Sequence, residues 1–382
     1  MLKIVGYTDR PSVRPGERLD FKVSCEAGAT AYQARMVRLI CGDDGRDSPG
    51  YKAQPVGAAV DGTYPGRRQG IDIGSYLVAT APMAIQAAGG LTLAALVAPH
   101  WIDKGSPQTI LACVDGDRGM TLALDRSGAA SVTLSNGRGQ IALGTGRPLA
   151  ARQWYLVAAS FDPAQRRIVV IQRAINPQFG EPELVDGSAT IPFALPDLAA
   201  AQVSAAASVI RDAEPAHRSQ HHFDGKIESP AIYTGWIDPS RILHPGWATN
   251  PCILRWDFSR DMAKRRVLDQ SGNGHDGLLV NLPTRAVTGA AWRGQTTQWR
   301  DRPELYAAIH FHCDDLYDMG WATDFSWELP MDLASGIYAC ELTTPDGGED
   351  ILPFFVLPPR GTATAPLAFL ASTYTYLAYA NS

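Results

Sequence analysis

Short segments in which apolar and polar residues alternate recur along this chain, and turn-forming residues separate them. Leu19, Phe21 and Val23 alternate with polar residues just after the turn signal Pro15-Gly16. A period of two places successive side chains on opposite faces of a β-strand, so that one face is buried. The 36 glycines and 27 prolines among 382 residues suit many short strands joined by tight turns. The chain is therefore predicted to be mainly β.

The segment 76–299 is predicted to form one large β-sandwich. Its candidate strands, in chain order, cover residues 91–97, 119–124, 130–134, 154–161 and 167–171. The turns at 125–128 and 162–165 have the spacing of hairpin connections. The alanine-rich stretch 199–207 permits either a helix or a buried strand, and both alternatives stay open.

Residues 1–75 and 300–358 are predicted to be two parts of one discontinuous immunoglobulin-like sandwich. A strand is expected at 32–40, and long loops are expected from 41 to 74, where Gly, Asp, Pro and Arg are frequent. Further strands are predicted at 307–311, 325–329, 336–342 and 351–356. The first flank has too few apolar strands for a core of its own, which favours pairing with the second. Two separate small sandwiches are the alternative.

Residues 359–382 are predicted to begin a third domain after the linker Pro358-Pro359-Arg360-Gly361. The apolar run at 365–371 is typical of a buried strand that opens an α/β sheet. One strand and its loop cannot bury a hydrophobic face. We therefore expect the chain to stop within the truncated start of an α/β catalytic domain.

Composition argues against several classes of partner. The net charge is −5, and no basic stripe indicates a nucleic-acid surface. The N-terminus lacks the apolar stretch of a signal peptide. Pro82 and the pair Gly89-Gly90 interrupt the most apolar segment, so no membrane span is expected. The six cysteines form no C-x-x-C motif, and we interpret them as reduced thiols of a cytoplasmic protein.

The sequence HFHCDD is one candidate metal cluster. It supplies His310, His312, Cys313, Asp314 and Asp315. Two histidines two residues apart on a strand share one face, and with the aspartates they could bind a divalent metal. No third, distant ligand is evident, which favours a polar network that holds the sandwich against the catalytic domain.

Two other polar groups are interpreted as loops. His217, His221 and His222 lie in a turn-like region and predict a solvated loop rather than a metal site. Asp224-Gly225 and the stretch from Asp269 to Asp276 could suggest a calcium site built from loop oxygens, but their spacing is not that of an EF-hand. We interpret Asn273-Gly274 as turn chemistry.

Three motifs in the middle of the chain carry a resemblance in fold. They are WYLVAASFD at 154–162, HFDGKIESPAIYTGWID at 222–238 and LDQSGNGHDGLLVN at 268–281. Their order resembles that in laminin-G or concanavalin-like jelly-roll domains. Such sandwiches include enzymes, lectins and spacers, so this resemblance implies fold and not function.

Two further blocks carry a more specific resemblance. HFHCDDLYDMGWATDF at 310–325 and FLASTYTYLAYANS at 369–382, together with the sandwich arrangement, resemble the large (beta) subunit family of N,N-dimethylformamidase. The resemblance covers the whole chain and about the first half of that family's polypeptide. It implies a hydrolase that converts small N-substituted formamides to formate and an amine. It also implies that a chain of this length is inactive alone.

The same resemblance implies a mononuclear iron held by two tyrosines and a glutamate. One of these tyrosines falls in TYTYLAYAN, where Tyr379 is the first choice and Tyr376 the second. The other ligands would lie beyond Ser382. A phenolate is a hard anionic donor that suits ferric iron. The alternative is that Tyr374, Tyr376 and Tyr379 are ordinary loop or interface aromatics.

The family also implies a small partner subunit and a homo-oligomer. A rival class of function is a non-catalytic β-sandwich module that binds carbohydrate or protein. Lectin-like binding requires exposed aromatics on a concave face, and Trp101, Trp236 and Trp247 are the candidates. Core packing would explain these tryptophans equally well.

Overall fold

A computed structural model describes residues 3–43, 45–210, 218–242 and 251–378. For residues 376–378 it describes the backbone but not the side chains. It divides the chain into two compact units. The first unit comprises Met1–Ile71 and Gly320–Ser382, and the second comprises Asp72–Met319. Both units are built of β-strands, which confirms the predicted mainly β fold.

The first unit opens with six strands. They are β1 (Val5–Thr8), β2 (Ser12–Val13), β3 (Arg18–Ser24), β4 (Ala31–Cys41), β5 (Lys52–Pro55) and β6 (Gly62–Pro65). In β3 the alternation has the expected effect, because Leu19, Phe21 and Val23 are all buried. Strands β5 and β6 both pair with β4. They lie where long loops were expected, because their side chains are largely exposed and carry no apolar period.

The second unit contains nineteen of the described strands. They are β7 (Tyr76–Ala79), β8 (Met83–Ile85), β9 (Leu91–Pro99), β10 (Gln108–Asp115), β11 (Arg118–Leu124), β12 (Ala129–Asn136), β13 (Gln140–Pro148), β14 (Tyr155–Asp162), β15 (Arg167–Ala174), β16 (Leu184–Thr190), β17 (Leu198–Ala205), β18 (Ser208–Val209), β19 (Ser219–Gln220), β20 (Gly225–Thr234), β21 (Cys252–Asp257), β22 (Arg266–Asp269), β23 (Gly277–Val280), β24 (Thr284–Val287) and β25 (Ala308–Phe311). Short 3₁₀ helices occur at Ala87–Gly89, Pro239–Arg241 and Pro303–Tyr306.

The chain then returns to the first unit with β26 (Phe325–Glu328), β27 (Gly336–Thr343), β28 (Glu349–Val356) and the helix α1 (Thr373–Ala378). Strand β26 pairs with β3, and β27 pairs with β4. Phe325 lies opposite Phe21, and their rings stack with centroids 4.8 Å apart. The two flanks of the chain therefore share one core.

The second unit consists of two packed layers. The first layer has the strand order β13-β12-β11-β10-β17-β7-β23-β22. The second layer has the strand order β16-β15-β14-β9-β20. Strands β25 and β21 pair in succession with the far edge of β20. A single apolar core lies between the layers, with Val132 and Val203 from one side and Leu93 and Val157 from the other.

The alanine-rich stretch forms a strand, not a helix. β17 pairs with β10 on one side and with β7 on the other. Ala201, Val203 and Ala205 all lie in the core. Because small side chains are compatible with both structures, the pairing partners decide between them.

Residues 300–319 belong to the second unit. Strand β25, which was assigned to the immunoglobulin-like sandwich, pairs instead with β20: Lys226 lies opposite His310. Strand β24 extends the same edge by pairing with β25. The long-range partners of a strand, which its own residues do not reveal, determine the unit to which it belongs.

The prediction of a strand at residues 365–371 is wrong. This stretch has no strand structure, and Leu367, Phe369 and Leu370 are 77–90% exposed. A buried strand requires neighbours on both edges, and none of the described strands pairs with this segment. Helix α1 follows instead. No helix among residues 3–43, 45–210, 218–242 and 251–378 is long and apolar enough to cross a membrane.

Candidate functional site

Three histidines meet at one end of the second layer. His310 lies on β25, and His100 directly follows β9. Both strands pair with β20, on opposite edges, and the register places Lys226 between His310 and Ala98. His312 is the residue directly after β25. The sheet therefore brings together imidazoles that are far apart in the sequence.

The three rings form a row, which we call the histidine row. The ring centroids of His100 and His310 are 4.3 Å apart, and those of His310 and His312 are 3.9 Å apart. Nε2 of His310 is buried and makes no hydrogen bond with any described residue. Burial, followed by the positive charge that His312, His100 and Lys226 can carry, lowers the pKa of His310 to about 4. The central ring is therefore neutral at pH 7.

A buried ion pair lies beside this row. Lys104 Nζ is 2.6 Å from Asp224 Oδ2, and both side chains are largely buried. The backbone N–H of Cys313 donates to the other carboxylate oxygen at 3.2 Å. Burial raises the pKa of Asp224, but the hydrogen bond and charge of Lys104 outweigh it, so that the net pKa is lowered. Asp224 is therefore an anion whose charge is already balanced.

The cluster HFHCDD is arranged as a polar network. His312 Nδ1 lies 3.3 Å from Asp315 Oδ2, and the backbone of His312 exchanges hydrogen bonds with Ser75. The two histidines of the motif share a face, as predicted. No three His, Cys, Asp or Glu side chains among the described residues are grouped so as to hold a metal ion. His312 and Asp315 thus take part in a polar network with Ser75.

The described members of the other histidine group, His221 and His222, lie in different surroundings. His217 lies outside the described residues. His222 is half-buried, with its ring 6.1 Å from that of Tyr76, and desolvation lowers its pKa. His221 lies at the edge of a groove in the other layer. The solvated loop predicted for this group therefore does not describe His222.

The stretch from Asp269 to Asp276 forms turns. Asp269 accepts hydrogen bonds from the backbone N–H groups of Arg255, Ser271 and His275. The side-chain amide of Asn273 donates to the carbonyl of Cys252 at 2.9 Å. Because backbone groups occupy the Asp269 carboxylate, the loop is held by turn chemistry, as predicted.

The outer face of the first layer forms a groove of about 900 Å³. Its lining includes Thr121 and Thr133, which lie opposite each other on β11 and β12, together with charged residues such as Asp115 and Arg118. No aromatic residue other than His221 lines it within the described part of the chain. Trp101 is half exposed elsewhere, beside Lys104.

The remaining lectin candidates do not reach this groove. Trp236 packs against the apolar cluster on the outer side of the second layer, and Trp247 lies outside the described residues. Neither Trp101 nor Trp236 lines this groove.

Glu228 is a buried acid that the sequence did not single out. It lies on β20 and is 5% exposed. Its Oε2 accepts a hydrogen bond of 2.6 Å from the backbone N–H of Ala290. Burial raises its pKa to about 7. In the sequence, Glu228 is marked only by its position between Ile227 and Ser229 in a largely apolar strand. That position does not tell whether the glutamate side chain is buried or exposed.

The predicted metal ligands fall at the end of the chain. Tyr379 lies outside the described residues, and for Tyr376 only its backbone position, within α1, is described. Tyr374, on the same helix, is 88% exposed. Iron ligation by Tyr379 or Tyr376 stays a prediction.

Sequence comparisons connect this chain to one family. Residues 284–382 match the profile described as N,N-dimethylformamidase beta subunit-like, C-terminal. The chain is 34% identical over 411 aligned positions to the N,N-dimethylformamidase beta subunit of an Alcaligenes species, and 35% identical to that of Paracoccus aminophilus. Both alignments cover 100% of this chain and 52% of the relative. The chain thus spans about half the length of these relatives.

Structural comparisons give weaker matches. A pentraxin from Limulus polyphemus has a TM-score of 0.33 and 13% identity, with 46% of this chain and 76% of the pentraxin covered. Domains LG4-5 of the mouse laminin alpha1 chain have a TM-score of 0.28 and 14% identity, with 51% and 50% covered.

Proposed function

The chain belongs to the N,N-dimethylformamidase beta subunit family, and from this membership we propose that it is part of an amide hydrolase that releases formate and an amine from small N-substituted formamides. The observation that carries the proposal is the full-length match: 34–35% identity extends over the whole of this chain. Identity at this level over both β units links this chain to proteins of one named activity.

In this proposal the described strands are the scaffold and not the catalytic centre. The described residues hold no grouped set of metal ligands, and His310, their most perturbed histidine, is engaged in a row of rings. We propose that chemistry requires the portion of the relatives' length that this chain does not span. Together with this chain, that portion would complete the hydrolase.

We further propose that Tyr379, or Tyr376 in its place, contributes one ligand to an iron centre. When bound, such a metal polarises an amide carbonyl and lowers the pKa of water. The support is the tyrosine-rich segment at the end of the matched range 284–382. This chain's own part would be to hold one phenolate oxygen at the site.

The relatives are named as subunits, so we propose that this chain also works within a complex that includes a small partner subunit and further copies. The six cysteines are all free of disulfides, and Cys25, Cys113 and Cys340 are buried. Unpaired thiols suit the reducing cytoplasm, which is the location we propose.

A chimera tests the enzyme proposal. The 382-residue chain would replace the matched part of the Paracoccus aminophilus beta subunit, and formate release from N,N-dimethylformamide would be measured with iron present. We expect release by the chimera and none by the 382-residue chain alone. A chimera that folds with the native far-UV spectrum but releases no formate would count against the proposal, as would turnover by the chain alone.

Two matched substitutions in the chimera test the ligand. Tyr379→Phe removes one phenol oxygen, and we expect loss of both bound iron and formate release. Tyr374→Phe removes an exposed phenol from the same segment and is the control, because the Tyr374 side chain is 88% exposed. If Tyr376→Phe abolishes iron binding and Tyr379→Phe does not, the second candidate is the ligand. Full iron content in both variants would refute the assignment.

A further inference from the structure

The histidine row consists of three titratable imidazole rings, and few negatively charged groups lie near them. His310 is in the middle, with His100 at 4.3 Å and His312 at 3.9 Å between ring centroids. The buried Nε2 of His310 has no hydrogen-bond partner among the described residues. A proton taken up there would therefore meet neither water nor an acceptor.

Charged groups from the neighbouring strands add to this imbalance. Lys226 on β20 lies opposite His310 in the register. Arg152, whose backbone N–H donates to the carbonyl of Pro99, adds positive charge near His100. The facing cations thus outnumber the free anions.

Two carboxylates face the row, and both have partners. Asp224 is paired with Lys104 at 2.6 Å. Asp315 lies beside His312, with 3.3 Å between Oδ2 and Nδ1. Asp315 can therefore balance a charge on His312, but no unpaired carboxylate from the described part of the chain faces His310.

The row also lies where the end of β25 pairs with β20 and where the residues after it bond to Gly74 and Ser75. Gly225 and Lys226 pair with Phe311 and His310. The carbonyl of His312 accepts a hydrogen bond from the N–H of Ser75 at 2.9 Å, and the carbonyl of Asp315 accepts one from the N–H of Gly74 at the same distance. Separation of the rings would therefore release the end of β25 and the residues that follow it, up to Asp315.

We propose that the histidine row is an acid-sensitive latch, in which neutral rings hold the end of β25 against β20 and mild acid opens that end while the rest of the second unit stays folded. The opened form exposes the rings to water, where each can bind a proton without facing the others.

The sign of the effect follows from proton linkage. An imidazole in water titrates near pH 6.5, whereas burial and the neighbouring cations lower the pKa of His310 to about 4. Burial and Lys226 also lower the pKa of His100. The open form thus binds protons better, so the latch is intact above about pH 6.5 and weakens as the pH falls. Between pH 7.5 and pH 5, His310 alone shifts the opening equilibrium by about 30-fold.

Hydrogen exchange on the full chain measures this opening. Protection of a peptide covering residues 305–312 would be compared at pH 7.5 and pH 5, after correction for the intrinsic exchange rate. We expect a loss of about 30-fold there, and no comparable loss in a peptide from β12. Unchanged protection at 305–312, or an equal loss in β12, would overturn the proposal.

Variants separate the latch from general acid lability. His310→Gln removes the central titrating group, so the pH dependence of exchange at 305–312 should shrink to a few-fold at most. His275→Gln is the control, because this histidine lies in the 269–276 loop outside the row. Should His310→Gln fail to fold, the imidazole resonances of the natural chain suffice. Titration of His310 near 6.5 in the closed protein would refute the latch.

Discussion

Replacement of Glu228 by glutamine should stabilise the second unit at alkaline pH and not at acid pH. Glu228 is 5% exposed, and its Oε2 accepts a hydrogen bond from Ala290 N–H. Burial, only partly opposed by this hydrogen bond, raises the pKa from 4.5 to about 7. A glutamine keeps the acceptor and nearly the same volume, and it has no charge to bury.

The magnitude follows from the pKa difference. A carboxyl whose pKa is higher in the folded protein stabilises the protonated fold, so stability is greatest below pH 4.5 and falls as the pH rises to about 7. The pKa of Glu228 thus differs by about 2.5 between the unfolded and the folded protein, which corresponds to a free energy of about 3 kcal/mol. Between pH 5 and pH 8 the part that changes is about 2.5 kcal/mol.

Urea unfolding of the natural chain and of Glu228→Gln at pH 5 and pH 8 measures this difference. Tryptophan fluorescence reports mainly on the second unit, since seven of the nine tryptophans lie in residues 72–319 and Trp256 is fully buried there. We expect the variant to gain about 2.5 kcal/mol more at pH 8 than at pH 5, whatever constant offset the new amide N–H introduces.

Glu183→Gln is the matched control. Glu183 belongs to the same unit, but its side chain is 65% exposed and pairs with Arg173. An exposed pair contributes at most about 1 kcal/mol. If Glu228→Gln and the natural chain differ by the same amount at both pH values, the buried carboxylate is not the cause and the reasoning fails.

Three further substitutions probe the second unit. Arg285 donates to five backbone carbonyls between residues 258 and 266, so Arg285→Lys should lower stability by about 3 kcal/mol or more in a denaturant titration, and a loss under 1 kcal/mol would contradict this. Gly225 has φ +147°, and a Cβ there would lie 2.5 Å from the carbonyl oxygen of Ala98, so Gly225→Ala should cost at least about 2 kcal/mol, whereas an unchanged Tm would show that the strand adjusts freely. Lys104→Met leaves the largely buried Asp224 without its cation and should cost about 3–5 kcal/mol, most of which should return when Asp224→Asn is added; equal losses in both variants would argue against an uncompensated charge.

Strands with a clear apolar period were predictable from the sequence. Leu19, Phe21 and Val23 occupy alternate buried positions of β3, and the 119–124 and 130–134 segments form the hairpin of β11 and β12. These features depend on residues within one strand and its turn. Local patterns suffice to predict them.

The sequence was misleading where structure depends on neighbours. The apolar run at 365–371 has the composition of a buried strand, yet Leu367 and Leu370 are exposed because no described strand pairs with it. Conversely, the polar segments of β5 and β6 are strands because β4 offers them an edge. Composition does not report whether a pairing edge is available.

The alternation of residues by itself determined that this protein is mainly β, and the motif HFHCDD determined that His310 and His312 share a face. Only the tertiary structure decided that His100 joins them and that Glu228 is enclosed beneath Ala290. The reason is physical: side-chain direction along a strand follows from its local geometry, whereas the distance between residues 62 or 210 positions apart follows from how the strands pair through backbone hydrogen bonds.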